Sequence, residues 1–372
     1  PDDPAVLETS LAEVSEMYEG DIDDLLEELG DRAPGIVEVG LKSDKALIRA
    51  AAVRLLPKIK DAEEAKPRLI AALDDEDGRV KKQAALHLHG MGHASPKLAI
   101  AFVHGLDGDT DWEFRSAMQA QGRIIIEPLI DVITDVDKED VVRNEAIELL
   151  SEVAYRARIP KERLEAALAG KDRDTQKWAA AALSVADRKH DAVLPHLVKM
   201  VGSDDYWQIK AGLQALQRIR FEDDKLPPDV SEAVISSLAS ADNDRANEVS
   251  SVVSYRSIDP AQLPAIIKLL NNEHSREAAL MALSRGALID ESLISPIAEG
   301  LKSDDETIRS YASAALREFG DDGYKHLVEV FLNAELPEQA RLAAAVGAFE
   351  MDTPTEDFKP AEKYSEPVAA LL

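Results

Sequence analysis

The 372-residue sequence contains no cysteine, which excludes disulfide staples, thiol chemistry and cysteine-ligated zinc. Aromatic residues make up only 5%, low for a globular enzyme and ordinary for helices packed through Ala, Leu and Val. No apolar run approaches the roughly 20 residues needed to cross a bilayer, so membrane insertion is not expected. No signal peptide is visible. Proline directly after a signal cleavage site would be unusual, so with Pro1 leading the sequence a cytoplasmic setting is expected. Basic residues are also scarce, 43 Lys and Arg against 71 Asp and Glu, for a formal net charge of −28. A surface that negative repels phosphate backbones. Lys81-Lys82 and the pair Arg218 and Arg220 are the nearest approach to a basic stripe, and nucleic acid is not an expected partner. Gly-rich phosphate loops, G-x-S-x-G and H-E-x-x-H are missing too. No catalytic residue, cofactor or metal site is expected; the expected partner is a protein or peptide, basic or partly apolar.

What the sequence does contain is a recurring unit, clearest at Ile126–Ala154 (IEPLIDVITDVDKEDVVRNEAIELLSEVA). Pro128 sits near the first helical position, where its missing N–H costs nothing. Ile126, Leu129, Ile130 and Ile133 share one helical face. The acidic run Asp135–Asp140 breaks the pattern, with Asp137 or Asp140 placed to cap a second helix over 141–153. That helix has its own apolar side through Val142, Ala146, Leu149 and Leu150. Two such helices cannot bury their faces alone, so units of this kind come in arrays. The second helix carries three marker slots: a basic or long polar residue, a small residue three on, and Leu or Ala four further. They read Arg143, Ala146, Leu150 here, and recur as Arg49, Ala52, Leu56 and as Lys81, Ala84, Leu88. Further copies are Gln176, Ala179, Leu183; Gln208, Ala211, Ala215; Arg276, Ala279, Leu283; Arg309, Ala312, Leu316; and Arg341, Ala344, Ala348. Arg115, Met118 and Gly122 form a degenerate copy. Spacings of roughly 28 to 38 residues suit helical solenoids.

The pattern Asp, Val/Ile-Arg, Ala, Leu, standing as Asp44, Ile48-Arg49, Ala52, Leu56 and as Asp304, Ile308-Arg309, Ala312, Leu316, resembles the HEAT-repeat family over about residues 35–351. The short bacterial and archaeal repeats of phycobilin lyases are the most similar form. The resemblance implies an all-α, right-handed α-solenoid of about ten HEAT-like helix pairs, with second helices lining a concave side. It also implies a ladder in which each turn Asp caps the second helix and each basic slot bonds turn carbonyls or the next Asp. Residues 1–33 are expected as N-terminal capping helices (Ala5–Tyr18 and Asp21–Leu29), 34–220 as repeats one to six, and 229–351 as repeats seven to ten. Between them 221–228 (FEDDKLPP) is the longest break and a candidate hinge. The tail 352–372 ends in Glu366-Pro-Val-Ala-Ala-Leu-Leu372, similar to the start of the seed unit at Glu127, as though an eleventh unit opens there. The family is mostly non-enzymatic scaffolds and adaptors. A bilin-type chromophore lyase or chaperone-like enzyme is the alternative, and a calcium- or salt-dependent assembly module the second. Deoxyhypusine hydroxylase, a HEAT-type metalloenzyme, draws its ligands from His-Glu pairs, and this sequence has no His-Glu dipeptide.

Several residues have spacings that resemble sites. His89 and His93 have metal-compatible i, i+4 spacing, but Gly90 and Gly92 between them end the helix, and His87 points the other way. Asp107, Asp109 and Asp111 alternate like the first ligands of a calcium loop, while Trp112 stands where that loop needs Gly and Met118 where it needs Glu. Partner contacts are expected from Trp112, Trp178 and Tyr206, and from Ile209, Leu213, Met281, Leu342 and Val346 on outward slots of second helices. Trp207 replaces Ile48 and Val142 in its slot and is expected in the core.

Overall fold

The computed structural model describes Val14 and residues 19–350, apart from 109, 156, 189–190, 241 and 255. The greater part of the expected helix Ala5–Tyr18 and the whole tail 352–372 fall outside the described residues. The chain divides into two compact units, residues 1–186 and 187–372.

In the first unit α1 (Glu19–Leu29) is followed by five helix pairs. These are α2 (Ala33–Gly40) with α3 (Ala46–Ile59), α4 (Ala62–Ala72) with α5 (Gly78–Gly90), and α6 (Pro96–His104) with α7 (Trp112–Ala120). Then come α8 (Ile126–Thr134) with α9 (Asp140–Ala154), and α10 (Lys161–Leu168) with α11 (Arg173–Ala186). The second unit also holds five: α12 (Leu194–Val201) with α13 (Tyr206–Arg218), α14 (Pro228–Ser237) with α15 (Asn243–Val253), and α16 (Leu263–Leu270) with α17 (Arg276–Leu283). It ends with α18 (Ile294–Gly300) and α19 (Glu306–Arg317), then α20 (Gly320–Leu332) and α21 (Glu338–Glu350). Among the described residues no strand forms; one isolated parallel bridge joins Lys225 and Ser257. Within each unit every second helix packs on the next, α3 on α5 through to α11, and α13 on α15 through to α21. Among the described residues the architecture is all-α and solenoidal, with five stacked helix pairs in each unit.

The marker slots explain the stacking. Ala52, Ala84, Ala146, Ala179, Ala211, Ala279, Ala312 and Ala344 are at most 2% exposed. Their third-slot partners Leu56, Leu88, Leu150, Leu183, Ala215, Leu283 and Leu316 are equally buried. A methyl at the small slot lets neighbouring helix backbones approach, and the Leu four residues on fills the space that remains. At Gly212 even a methyl is too much, since a Cβ there would lie 2.9 Å from Met200 Cβ. The last slot, Ala348, is half-buried, at the end of the described array.

The turn acids cap helices, though one residue later than the sequence pattern implies. Asp77, Asp111, Asp205, Asp242 and Asp305 each accept a first-turn N–H, as an N-cap requires. Asp44 and Asp304 instead offer backbone carbonyls, to Arg49 at 3.2 Å and Arg309 at 2.8 Å. In the seed unit neither Asp137 nor Asp140 caps α9: Glu139 holds the N-cap position without a side-chain bond, and Asp140 is already inside the first turn. A carboxylate there still favours the positive end of the helix.

The basic slots follow two patterns. Arg49 grips Asp75 of the next pair with two bonds of 2.8 Å, and Arg143 bonds Asp174. Arg276, Arg309 and Arg341 turn back on loop carbonyls, as at Leu270 (2.8 Å), Ser303 (2.8 Å) and Phe331 (2.9 Å). Gln176 does the same at Gly170 with 2.8 Å. Either way a side chain satisfies carbonyls or carboxylates that a tight turn leaves unpaired.

Arg143 is the buried extreme, 1% exposed, with its guanidinium 5.6 Å from the ring of Trp178. Its Nε has no protein partner, so its burial carries a desolvation cost that the ion pairs with Asp174 and, at 3.7 Å, Asp140 offset only in part. Arg143→Ala, which leaves a cavity over Trp178, is expected to lower unfolding free energy by about 3 kcal/mol. Arg143→Met, which fills it, should stay within about 1.5 kcal/mol of the native value. Urea titrations of the three proteins check the order.

Candidate functional site

The longest break in the repeat pattern builds part of an open cleft in the second unit. Pro228 begins α14 at a position that needs no N–H. Before it, Glu222–Asp224 make a single 3-10 turn in which Asp223 and Asp224 both adopt φ of 52°, a region that short polar side chains tolerate. The chain is then extended and pairs with the next inter-repeat loop. Leu226 N–H donates to Ser257 at 3.0 Å, and Ser257 N–H to Asp224 at 2.9 Å. One loop further, Ile258 N–H donates to Ala287 at 3.0 Å. Three successive loops thus lie side by side. Beneath them the Arg256 guanidinium donates to the carbonyls of Gln217 (2.7 Å), Ile219 (3.1 Å) and Val252 (2.8 Å), and stacks 5.5 Å from Phe221. Burial lowers the Arg256 pKa, with Asp224 opposing. So 221–228 is hydrogen-bonded to the next inter-repeat loop through Asp224 and Leu226, inside the second unit.

The loops enclose about 890 Å³, open to solvent on one side. Its lining includes Phe221, Leu226, Pro227, Ile258, Leu288 and Ile289, with Arg220, Lys225, Asp191 and Glu222 among its charged members. Leu226 and Ile258 are buried, whereas Ile289 is 61% exposed. The lining holds no His and, as its sole hydroxyl, Ser257, so no nucleophile–base pair of the acyl-transfer kind forms there. Apolar walls with charges of both signs and backbone edges suit an extended polypeptide. Sequence reading marked this stretch as a break and missed the cleft, because its far wall comes from loops some 30 and 60 residues downstream.

The expected contact residues divide. Trp178, Ile209, Leu213 and Met281 are 0–3% exposed and are corrected to core. The following second helix packs on α13 and on α17, and Trp178 lies under Arg143. Tyr206 is half-buried, its ring edge-on to Trp207 at 5.0 Å, and burial raises its pKa. Trp207, expected in the core, is half-buried with Lys210 over its face at 5.2 Å. Trp112 is 81% exposed, and Leu342 and Val346 are 54% and 56% exposed. Phe349 joins them at 73%; its i, i+7 relation to Leu342 is the signal that could have found it.

The acidic turn after α6 is arranged around a neighbour's carboxylate. Gly108 and Thr110 donate their backbone N–H groups to Glu145 of α9 at 3.1 and 3.2 Å. Asp107 and Asp111 share the Lys82 ammonium at 3.5 and 3.7 Å, and Asp111 caps α7. Asp109 lies outside the described residues. A Cβ at Gly108, which has φ of +87°, would strike Val141 at 2.6 Å, so this close approach requires glycine. Nearby, Arg115 bonds Glu152 at 2.9 Å and Glu148 at 3.3 Å. Burial works against the Arg115 charge, but these carboxylates outweigh it and raise its pKa. At the histidines, α5 ends at Gly90, and His89 Nδ1 lies 3.4 Å from the Gln121 amide. Among the described residues no three His, Asp or Glu side chains stand together as a metal site. No described helix is long and apolar enough to cross a membrane.

Stacked hairpins with small-residue seams and turn-bonding arginines define a helical repeat protein. Residues 33–121 match the family model for HEAT repeats. No curated protein matches it. Among solved structures, importin beta is similar at 13% identity and a TM-score of 0.51, over 92% of this chain and 55% of that one. A chain of a homology model of the full-length AP-3 complex, in an intermediate open conformation, is similar at 14% identity and a TM-score of 0.52, over 93% of this chain and 68% of that one. The chain thus spans about half the length of importin beta, and at such identities the likeness is one of fold.

Glu145, 5% exposed, has its pKa raised by burial, with the bonds from Thr110 and Gly108 opposing. A carboxyl whose folded pKa exceeds its unfolded one stabilises the protein below the ordinary glutamate range and loses that contribution as pH rises through the folded value. Glu145→Gln removes this titration. Thermal melts across the acidic range should show native stability falling with rising pH, relative to Glu145→Gln, from the ordinary glutamate pKa upward. Parallel pH profiles for the two proteins would contradict the assignment.

Proposed function

We propose that this protein is a non-enzymatic interaction scaffold that holds an extended, partly apolar segment of a partner protein in the loop cleft of the second unit. The observation that carries this reading is the cleft itself, 890 Å³ of open trough walled by three parallel loops. An apolar floor over Leu226 and Ile258 with an exposed Ile289 gives a peptide side chain somewhere to bury. The net charge of −28 favours basic residues flanking that segment through long-range attraction. Trp112, 81% exposed at the start of α7, is a second contact in this reading. The chain of the AP-3 complex that shares the fold acts as part of a multi-protein assembly, which is the kind of role proposed. A bilin lyase would need an enclosed pocket, and this cleft is open. The cytoplasm is the setting this reading assumes.

A photo-crosslinking residue at Ile289 identifies the partner in the native cell, and affinity is then measured on purified components. Ile289→Asp should weaken binding about tenfold or more, while Val136→Asp, at a 55% exposed site that does not line the cleft, should leave it unchanged. Full affinity in Ile289→Asp would contradict the cleft as the binding site.

A further inference from the structure

The three loops that wall the cleft are joined in a row by backbone bonds, and the row stops at its third member. Lys225 and Ser257 form a parallel bridge, and Ile258 N–H carries the row on to the Ala287 carbonyl at 3.0 Å. Beyond Ala287, residues 288–290 are neither helix nor turn, and Asp290 has extended φ and ψ of −145° and 127°. Successive residues of an extended chain send their peptide groups to opposite sides. With the Ala287 carbonyl turned to Ile258, the N–H and carbonyl of Leu288 face away from the row. Among the described residues no hydrogen bond reaches either group.

This end of the row is open to the cleft. Leu288 is half-buried and Ile289 is exposed, and both belong to the cleft lining. An edge of this kind invites another chain, and proteins that must avoid such pairing place charge or proline on it. Ala287-Leu288-Ile289 carries neither. Charge resumes just past it. Asp290 and Glu291 follow in sequence and Asp259 lies in the middle loop, whereas the lining cations Arg220 and Lys225 both belong to the first loop. The third loop therefore offers unbonded peptide groups, two aliphatic side chains and then negative charge.

We infer that the partner segment binds as an added strand, bonded through its own backbone to Leu288, with an aliphatic side chain against Ile289 and a Lys or Arg beside Asp290 and Glu291. This inference rests on the cleft being the binding site, and it adds the mode of binding and the class of partner. The occupant is an extended segment that joins apolar residues to a basic one and has no proline where it meets Leu288. Its main chain supplies affinity, and its alternate side chains supply selection.

The probe is a decapeptide selected from a random displayed library on the full chain, with the Ile289→Asp protein used to remove peptides that bind elsewhere. The selected peptide is then resynthesised with single backbone N-methyl groups. Methylation at alternate positions should weaken binding about tenfold, and methylation between them should not. In the complex, amide exchange at Leu288 should slow about tenfold or more, while exchange at Ile258, whose N–H is already bonded, stays as it was. A flat methylation scan or unchanged Leu288 exchange, with a peptide that Ile289→Asp still excludes, would overturn the added strand and leave the cleft reading standing. Selection of no peptide that is sensitive to Ile289→Asp would overturn both.

Discussion

The close seam between successive second helices is the constraint on which the other features depend. It is made where an alanine, buried to at most 2% exposure, meets the neighbouring helix and a leucine or alanine four residues on fills the remaining gap. An isolated pair of helices of 7 to 15 residues buries too little surface to offset its ordering entropy. Stability is therefore shared between neighbours, as nearest-neighbour terms along the row. The same requirement keeps the slots small, keeps the turns short, and puts a penalty on any volume added at Ala146 or its equivalents.

Short turns create a second demand, for they leave carbonyls and first-turn N–H groups unpaired. The turn acids answer the N–H groups and the arginine slots answer the carbonyls, so much of the charge in the turns is structural. Arg49 bridges two pairs through Asp75, whereas Arg309 closes only its own loop. Glu145 is the inverse case, a carboxylate buried so that it can hold the backbone of a neighbouring turn. These commitments separate structural charges from those free for recognition.

The repeat was legible in the sequence because its signal is local and multiplied: three slots at fixed spacing, recurring along the chain. The capping residue was read one position early at Asp304, because pattern alone does not fix where φ and ψ turn helical. Contact residues were harder. Ile209 and Leu342 hold the same slot after their markers, yet one is covered by a neighbouring helix and the other is open. Only the presence of the next helix decides, and a single unit's sequence does not contain it. The cleft was invisible for a related reason, its walls being distant in sequence and joined by backbone bonds that carry no residue signature.

Function in this account follows from mutual support: the array holds loops and helix ends in fixed register, and those present a surface to a partner. The most direct test of that support is circular dichroism of the isolated seed hairpin, residues 126–154, against the same residues followed by hydrogen exchange in the whole chain. The account predicts that the peptide alone is largely unfolded in water, while α8 and α9 in the chain are strongly protected. A hairpin that is stably helical by itself would contradict it.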